Sequence, residues 1–146
     1  MVEILDETHR FPAADRLQDV LEMLMAELGL ADVEMTVVIL SDEAVHRLNA
    51  EHRGVDEPTD VLSYPTHEPD DVGMPHVPHL GDVLIALGVA ARQAEEHGRT
   101  TAEELAALAA HGLTHLRGLD HRNPAEWLPF EDAQDRAIEL LREASS

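Results

Sequence analysis

Three histidines in the last third of the chain have the spacing of a metal site. They are His111, His115 and His121, in the segment HGLTHLRGLDH (111–121). Residues four apart lie on one face of a helix, so His111 and His115 would point the same way. Gly118 favours a left-handed turn that ends the helix and brings His121 back to the same point. Three neutral imidazoles there predict a zinc site with its fourth tetrahedral position open, as in catalytic sites.

The full pattern HxxxHxxGxxH carries more information than its first histidine pair. Ten histidines in 146 residues produce some pairs four apart by chance. From the first histidine onward, the spacing matches the long zinc-protease motif. Those proteases place their general base, a glutamate, directly after the first histidine, and here that residue is Gly112. The pattern therefore keeps the geometry of the ligands and lacks the protease base.

Length and composition indicate one domain spanning residues 1–146. The chain is 44% apolar, which is enough for one core, and it has no cysteine, so disulfides and thiolate zinc sites are excluded. No apolar run is long enough for a membrane span, and the first residues lack the features of a secretory signal. We therefore expect a cytoplasmic protein with no membrane partner.

The charge of the chain is strongly acidic. There are 30 acidic residues and 10 basic ones, and every basic residue is an arginine, giving a net charge of -20. This charge argues against a broad surface that binds phosphates. Any interpretation as a nucleic-acid-binding protein must account for it. An acidic surface that only aids solubility is the simpler alternative.

The apolar periodicity predicts an α+β fold. Strands are predicted at Val2–Leu5, Val33–Leu40, Asp60–Tyr64 and Gly81–Leu87. Helices are predicted at Phe11–Leu28 and Asp42–Glu51. A third helix is predicted to end near Gly98, and a fourth, the metal helix, is capped by Thr100 or Thr101. Pro124 opens or precedes the last helix. Strands joined through helices should run parallel, and the third and fourth, joined without one, antiparallel. We expect a four-stranded mixed sheet, three strands parallel and one antiparallel, covered by about five helices.

Local signals refine the second half of the chain. Thr101 and Glu104 have the spacing of a capping box at the start of the metal helix. Trp127 and Phe130, in the last helix, are predicted to be core residues. The long acidic loop 66–80 contains further histidines, at positions 67, 76 and 79. No helix or strand fixes their spacing, so we do not expect these three to be ligands.

A second dense segment is LNAEHRGVDEPTDVLSYP (48–65). Within it, Arg53 precedes Gly54 in a turn that leads into a strand. An arginine near a metal can hold an anionic substrate or stabilise charge in the transition state. A surface arginine paired with nearby acids is the alternative, and residue types alone leave both open.

Three segments, taken in order, resemble the YbeY endoribonucleases, which are bacterial metalloenzymes of rRNA maturation. They are 48–65, LGDVLIAL (80–87) and HGLTHLRGLDH (111–121). The family pattern is close to LN..YRG...PTDVLSFP, then LGD, then HG.LHL.G.DH. The chain departs from it at four positions that remove no ligand: His52, Tyr64, Thr114 and Leu119.

The resemblance assigns roles to individual residues. It implies that His111, His115 and His121 bind one zinc ion per chain, and that Arg53 is a functional residue in a cleft near the metal. Three more residues fall on family motif positions and are interpreted as supporting groups: Asp60, Ser63 and Asp82. Asp120, beside the third histidine, is a candidate general base, but an aspartate there can equally orient a ligand histidine.

The resemblance also implies a function. It predicts a single-strand-specific, zinc-dependent endoribonuclease that acts in 16S rRNA 3′-end maturation and ribosome quality control. The substrate would be single-stranded rRNA. The net charge then requires either a locally positive cleft or delivery by a partner, such as the ribosome or ribosomal proteins. Two alternatives remain: a metal hydrolase of another class (a peptidase or an ester hydrolase), and a structural zinc module.

Overall fold

The computed structural model describes residues 1–54, 57, 59–66 and 78–144. Its centre is a four-stranded sheet in the order β1-β2-β4-β3. The strands are β1 (Val2–Asp6), β2 (Glu34–Leu40), β3 (Val61–Pro65) and β4 (His79–Ala86). β1, β2 and β4 are parallel, and β3 pairs antiparallel with β4. The predicted fold class, with three parallel strands and one antiparallel strand, is confirmed.

The strand that opposes the others is β3. The expectation that β2 and β3 run parallel because a helix joins them is wrong, since β4 is parallel to β2 and antiparallel to β3. A helix between two strands predicts parallel strands only when the chain crosses over and re-enters the sheet in the same direction. The connection from β2 through α2 to β3 re-enters it in the opposite direction. β3 forms an edge of the sheet, which suits Pro65, because proline in a sheet is confined to edges and strand ends.

Five α-helices and one short 3-10 helix surround the sheet in the described part of the chain. They are α1 (Ala14–Glu27), α2 (Asp42–Arg53), α3 (Leu87–His97), α4 (Thr101–Leu116), the 3-10 helix Pro124–Trp127, and α5 (Leu128–Ala144). No described helix combines the length and apolar character that a membrane span requires.

Two helix starts differ from the prediction. α1 begins at Ala14 rather than Phe11, because the Asp6 carboxylate accepts hydrogen bonds from the backbone of Thr8 and Phe11 and holds the intervening chain as a turn. The capping box of α4 uses residues 100 and 103 instead of 101 and 104. The Thr100 hydroxyl accepts from the Glu103 backbone, and the Glu103 carboxylate accepts from the Thr100 backbone. Extended backbone at residue 100 makes it the cap.

α4 is the helix that organises the rest of the molecule. It packs against α1, α3, α5, β3 and β4, and most of its residues are buried. Gly112 allows this close approach. A Cβ atom built there would lie 2.6 and 2.8 Å from the methyl groups of Val83 and 3.0 Å from the Ser63 hydroxyl. The residue that replaces the protease glutamate therefore faces the sheet.

Candidate metal centre and groove

The three predicted histidines come together. One nitrogen of each of His111, His115 and His121 lies within 4.8 Å of the other two, and no other such cluster occurs in the described residues. The first two lie on the last turns of α4. Gly118, at φ +87°, then adopts the predicted left-handed conformation, and its N–H donates to the His115 carbonyl at 2.9 Å. This turn reverses the chain and returns His121 to the end of the helix.

The phenyl ring of Phe130 packs against all three imidazoles. The centroid of Phe130 lies 4.9 Å from that of His111, 4.8 Å from His115 and 4.9 Å from His121. Phe130 is fully buried, as predicted for a core residue. Trp127 is not in the core. It stacks on His121, with centroids 3.9 Å apart and planes 17° apart, and remains 38% exposed.

Hydrogen bonds at the ring nitrogens orient two of the histidines. His115 Nδ1 lies 3.2 Å from the Leu119 carbonyl oxygen, which can only accept, so Nδ1 carries the proton and Nε2 keeps its lone pair. His111 Nδ1 lies 3.0 Å from the side-chain amide nitrogen of Gln134, which as placed donates to it. The nitrogen and oxygen ends of an amide have nearly the same shape. With the amide turned over, its oxygen would accept from Nδ1–H and leave the Nε2 lone pair of His111 free for a metal.

Burial keeps His111 and His115 uncharged. Burial first, and then the neighbouring His115 and His121, lower the pKa of His111 to about 4. Burial and then the charge of His121 also lower the pKa of His115. Both rings are therefore neutral near pH 7, which is the form that binds a metal ion. A cluster of neutral imidazole nitrogens suits zinc and other borderline metals.

A groove of about 570 Å³ opens beside the three histidines. Its remaining walls come from the chain between α2 and β3, from β3 itself and from Asp120. The lining residues other than the histidines are Arg53, Thr59, Asp60, Val61, Leu62, Ser63, Pro65 and Asp120. The structure thus brings the two dense sequence segments, 48–65 and 111–121, to one concave surface.

Arg53 lies at the end of α2, where Gly54 stops the helix in a left-handed conformation at φ +68°. The helix is two residues longer than predicted, so Arg53 belongs to its last turn. Its positive charge lies near enough to the site to disfavour protonation of His115. Among residues 1–54, 57, 59–66 and 78–144, no carboxylate forms an ion pair with Arg53. The described structure thus gives no support to the alternative of a surface arginine paired with acids.

The predicted supporting residues divide into two groups. Asp60 and Ser63 line the groove, and the Asp60 carboxylate accepts from the Gln93 amide at 3.2 Å. Asp82 does not line it and lies 3.7 Å from His79 Nε2. Asp120 lines the groove and accepts from the backbone N–H of His121 at 2.8 Å.

His79 is not part of the metal cluster. Thr36 and Thr66 contact its two ring nitrogens through their hydroxyls, at 3.0 and 2.8 Å. His79, predicted to lie in a loop, is the first residue of β4, and its contacts agree with the prediction that it is not a ligand. His67 and His76 lie outside the described residues.

Sequence reasoning missed three contributors to this site. Phe130 was predicted only as core, Trp127 was wrongly predicted as core, and Gln134 was not considered. All three follow the histidines in the chain. Phe130 and Gln134 reach them through the packing of α5 on α4, and Trp127 ends the 3-10 helix just before α5. The local spacing of the histidines contains no signal for these contacts.

Comparison with known proteins agrees with the geometry. The family model described as "Endoribonuclease YbeY" matches residues 3–142. The chain belongs to the endoribonuclease YbeY family. A YbeY protein of Thermus thermophilus is 46% identical over 125 residues, which cover 86% of this chain and 88% of the relative. One from Deinococcus radiodurans is 50% identical over 112 residues, covering 77% and 70%.

A solved structure extends the similarity to the fold. The solution structure of a Thermotoga maritima protein matches with a TM-score of 0.69 at 27% identity. The match covers 99% of this chain and 91% of that protein. The YbeY resemblance predicted from three short segments is therefore confirmed over nearly the whole chain.

Proposed function

We propose that this protein is a zinc-dependent endoribonuclease that cleaves single-stranded RNA in 16S rRNA 3′-end maturation and ribosome quality control. The observation that carries the proposal is one groove that presents three clustered imidazoles and an arginine free of ion pairs among the described residues. Relatives at 46–50% identity bear the name endoribonuclease. An rRNA substrate would place the protein in the cytoplasm.

The histidines would hold one zinc ion per chain. Their nitrogens are close enough together to share one ion, and lowered pKa values keep two of them neutral. Three protein ligands leave the fourth tetrahedral position for water or substrate. A bound zinc ion supplies Lewis acidity, which activates water and polarises a phosphoryl oxygen.

Arg53 would bind the phosphate. A guanidinium donates two parallel hydrogen bonds to phosphate oxygens and keeps its charge at any physiological pH. From the rim of the groove it can stabilise negative charge that develops in the transition state. Asp120 faces the same groove and is a candidate proton acceptor, while its bond to the His121 backbone suits a role in orienting that ligand. Both roles stay open for it.

The net charge of -20 favours a single strand over a duplex. A protein that grips duplex nucleic acid usually neutralises many phosphates, and this chain has only ten arginines and no lysine. A single strand in a groove can be held through few phosphates and through its bases. The acidic surface also suits docking on basic ribosomal proteins, which would bring the substrate to the groove.

The geometry argues against a zinc peptidase. The helix position that carries the peptidase base is Gly112, and a side chain there would collide with Val83 and Ser63. A structural zinc module is also disfavoured, because such sites usually have four protein ligands and the described cluster has three.

A substrate screen tests the proposal. Zinc-loaded and chelated samples would be incubated with an unstructured 5′-labelled RNA, the same RNA annealed to its complement, casein and a simple ester. We expect internal cleavage of the single strand by the zinc-loaded sample alone. Cleavage of casein or the ester, with intact RNA, would replace the proposal by one of the other hydrolase classes.

A further inference from the structure

The metal centre has an exposed aromatic side chain at its edge. Trp127 is the only tryptophan in a chain with just four aromatic residues of the Phe, Trp and Tyr types. It is 38% exposed, and the next residue, Leu128, is 58% exposed. Leu119, whose carbonyl contacts His115, is also exposed. Large apolar side chains at a rim cost solubility, so a binding role is a reasonable explanation for them.

The indole of Trp127 stacks directly on His121, one of the three predicted metal ligands. Its centroid lies 3.9 Å from that of His121 and 6.2 Å from that of His111. His121 covers part of the indole and Phe130 lies 6.0 Å from it, while 38% of the residue stays open to solvent. A phosphate held at the three histidines would place the base of an adjoining nucleotide within reach of this open surface.

Stacking also fits the electrostatics of the chain. With 30 acidic residues and no lysine, the protein gains little affinity from phosphate contacts. Base–aromatic stacking needs no positive charge and accepts every base, because each has a π face. Bases in a duplex are already stacked and paired, so only an unpaired base is available. A stacking site beside the metal would therefore select for single strands.

We infer that Trp127 forms a binding site for one unpaired base of the RNA substrate, next to the nucleotide whose phosphate is cleaved. This inference rests on the proposed function, since it names how the same site holds its substrate. Trp127 is a substrate-binding residue in this account. Its contact with His121 positions that ring in addition.

The sole tryptophan makes the inference directly measurable. Zinc-loaded protein would be titrated with a short nuclease-resistant 2′-O-methyl phosphorothioate strand while tryptophan emission is recorded. Two comparison strands test for stacking: one of equal length with abasic sites, and one annealed to its complement. We expect marked quenching by the base-containing single strand and little by the other two. Equal quenching by the abasic strand, or none by any strand, would overturn the inference.

Variants give a second, independent measurement. The dissociation constant of a labelled strand would be measured by anisotropy for Trp127→Leu and Trp127→Phe, with zinc content assayed on the same samples. Leucine keeps apolar bulk without a π face, so we expect binding to weaken roughly tenfold or more, the loss typical of one base–aromatic stack. Phenylalanine should restore much of it. Met23→Leu, at an apolar position on α1 that is 42% exposed, is the matched control and should bind like the parent.

The outcomes separate this inference from the proposed function. If the parent cleaves RNA and Trp127→Leu binds the strand as tightly as the parent with full zinc, the stacking site is wrong and the endoribonuclease stands. If the parent quenches on binding but cleaves no RNA, the stacking site stands and the proposed reaction is wrong.

Discussion

The two walls of the groove differ in how they are supported. One wall, which we call the histidine wall, consists of His111, His115 and His121. The first two lie on α4, which is buried against the sheet and α5. The ring of Phe130 packs against all three imidazoles. The arginine wall begins at the last turn of α2, a helix whose buried residues are Val45 and Asn49 alone. Arg53 itself is exposed.

This difference predicts how changes on each side behave. Packing around α4 fixes the ligand geometry before any metal arrives, which lowers the cost of ordering the site on binding. Changes to that wall should therefore alter metal affinity, and some should alter stability. Arg53 has few contacts to lose, so changing it should alter the reaction and leave metal and fold intact.

The largest expected effect comes from removing a ligand. His115→Ala should lose stoichiometric zinc, with a greater loss of affinity than the 10- to 100-fold typical of an outer-shell partner. The chain should still fold, because its core is built without the metal. It should no longer gain the ~4 kcal/mol that a thousandfold excess of zinc over the dissociation constant gives the parent. Elemental analysis and thermal melts with and without zinc measure both effects.

His79→Ala is the control for that experiment. His79 contacts two threonines and lies outside the cluster, so this variant should keep its zinc. A His115→Ala sample that retained one zinc per chain would move the metal site elsewhere. Zinc loss from His79→Ala alone would do the same.

A smaller effect is expected at Gln134, which contacts the Nδ1 of His111. Gln134→Leu removes the side-chain amide that contacts Nδ1 of His111 and orients this ring, so zinc affinity should fall by roughly 10- to 100-fold. Gln134→Glu offers a carboxylate oxygen and should keep or raise the affinity. Competition with a chromophoric chelator gives the dissociation constants, and nitrogen-15 spectra of the metal-free protein give the tautomer. An unchanged tautomer and affinity in Gln134→Leu would remove this residue from the site.

The smallest effect is expected at Gly118, where φ is +87°. Nothing lies within 4 Å of a Cβ atom built there, so any penalty comes from the backbone and not from a collision. Gly118→Val should cost roughly 1–2 kcal/mol of stability, the usual penalty of left-handed backbone, and should weaken zinc binding by displacing His121. Gly118→Asn should cost less, because asparagine tolerates this conformation. Chemical denaturation and zinc titration of both variants test the turn; equal behaviour of Val and Asn would contradict it.

The comparison of the two walls also shows what the sequence could predict. The histidine cluster follows from local rules: helical spacing of four, a glycine that turns the chain, and a third histidine three residues later. The same kind of rule placed the helices within a few residues. Local rules left the cap of α4 open between Thr100 and Thr101 and assigned the capping box to the wrong pair. Both threonines have the required spacing to a glutamate, and only the backbone decides between them.

Contacts between distant segments were beyond local rules. Phe130 and Gln134 reach the histidines from α5, and Trp127 reaches them from the 3-10 helix before it. No spacing within the histidine segment specifies these contacts. The direction of β3 depends on β4 inserting beside β2, which is likewise a tertiary outcome. The position of Arg53 opposite the metal cluster came from family resemblance. Its residue type and local sequence favoured a surface ion pair.

The central claim is that the two walls have separate roles in one reaction, with metal on the histidine wall and phosphate on the arginine wall. Single-turnover cleavage of an unstructured RNA by Arg53→Ala, with zinc content and melting temperature measured on the same samples, tests it most directly. We predict a rate loss of roughly 10²–10³, the usual cost of one charge-stabilising donor, with full zinc occupancy and parental stability. Arg53→Lys should recover only part of the rate, because an ammonium cannot supply the planar pair of donors. Cleavage by Arg53→Ala at the parental rate would contradict the claim and remove the arginine wall from the mechanism.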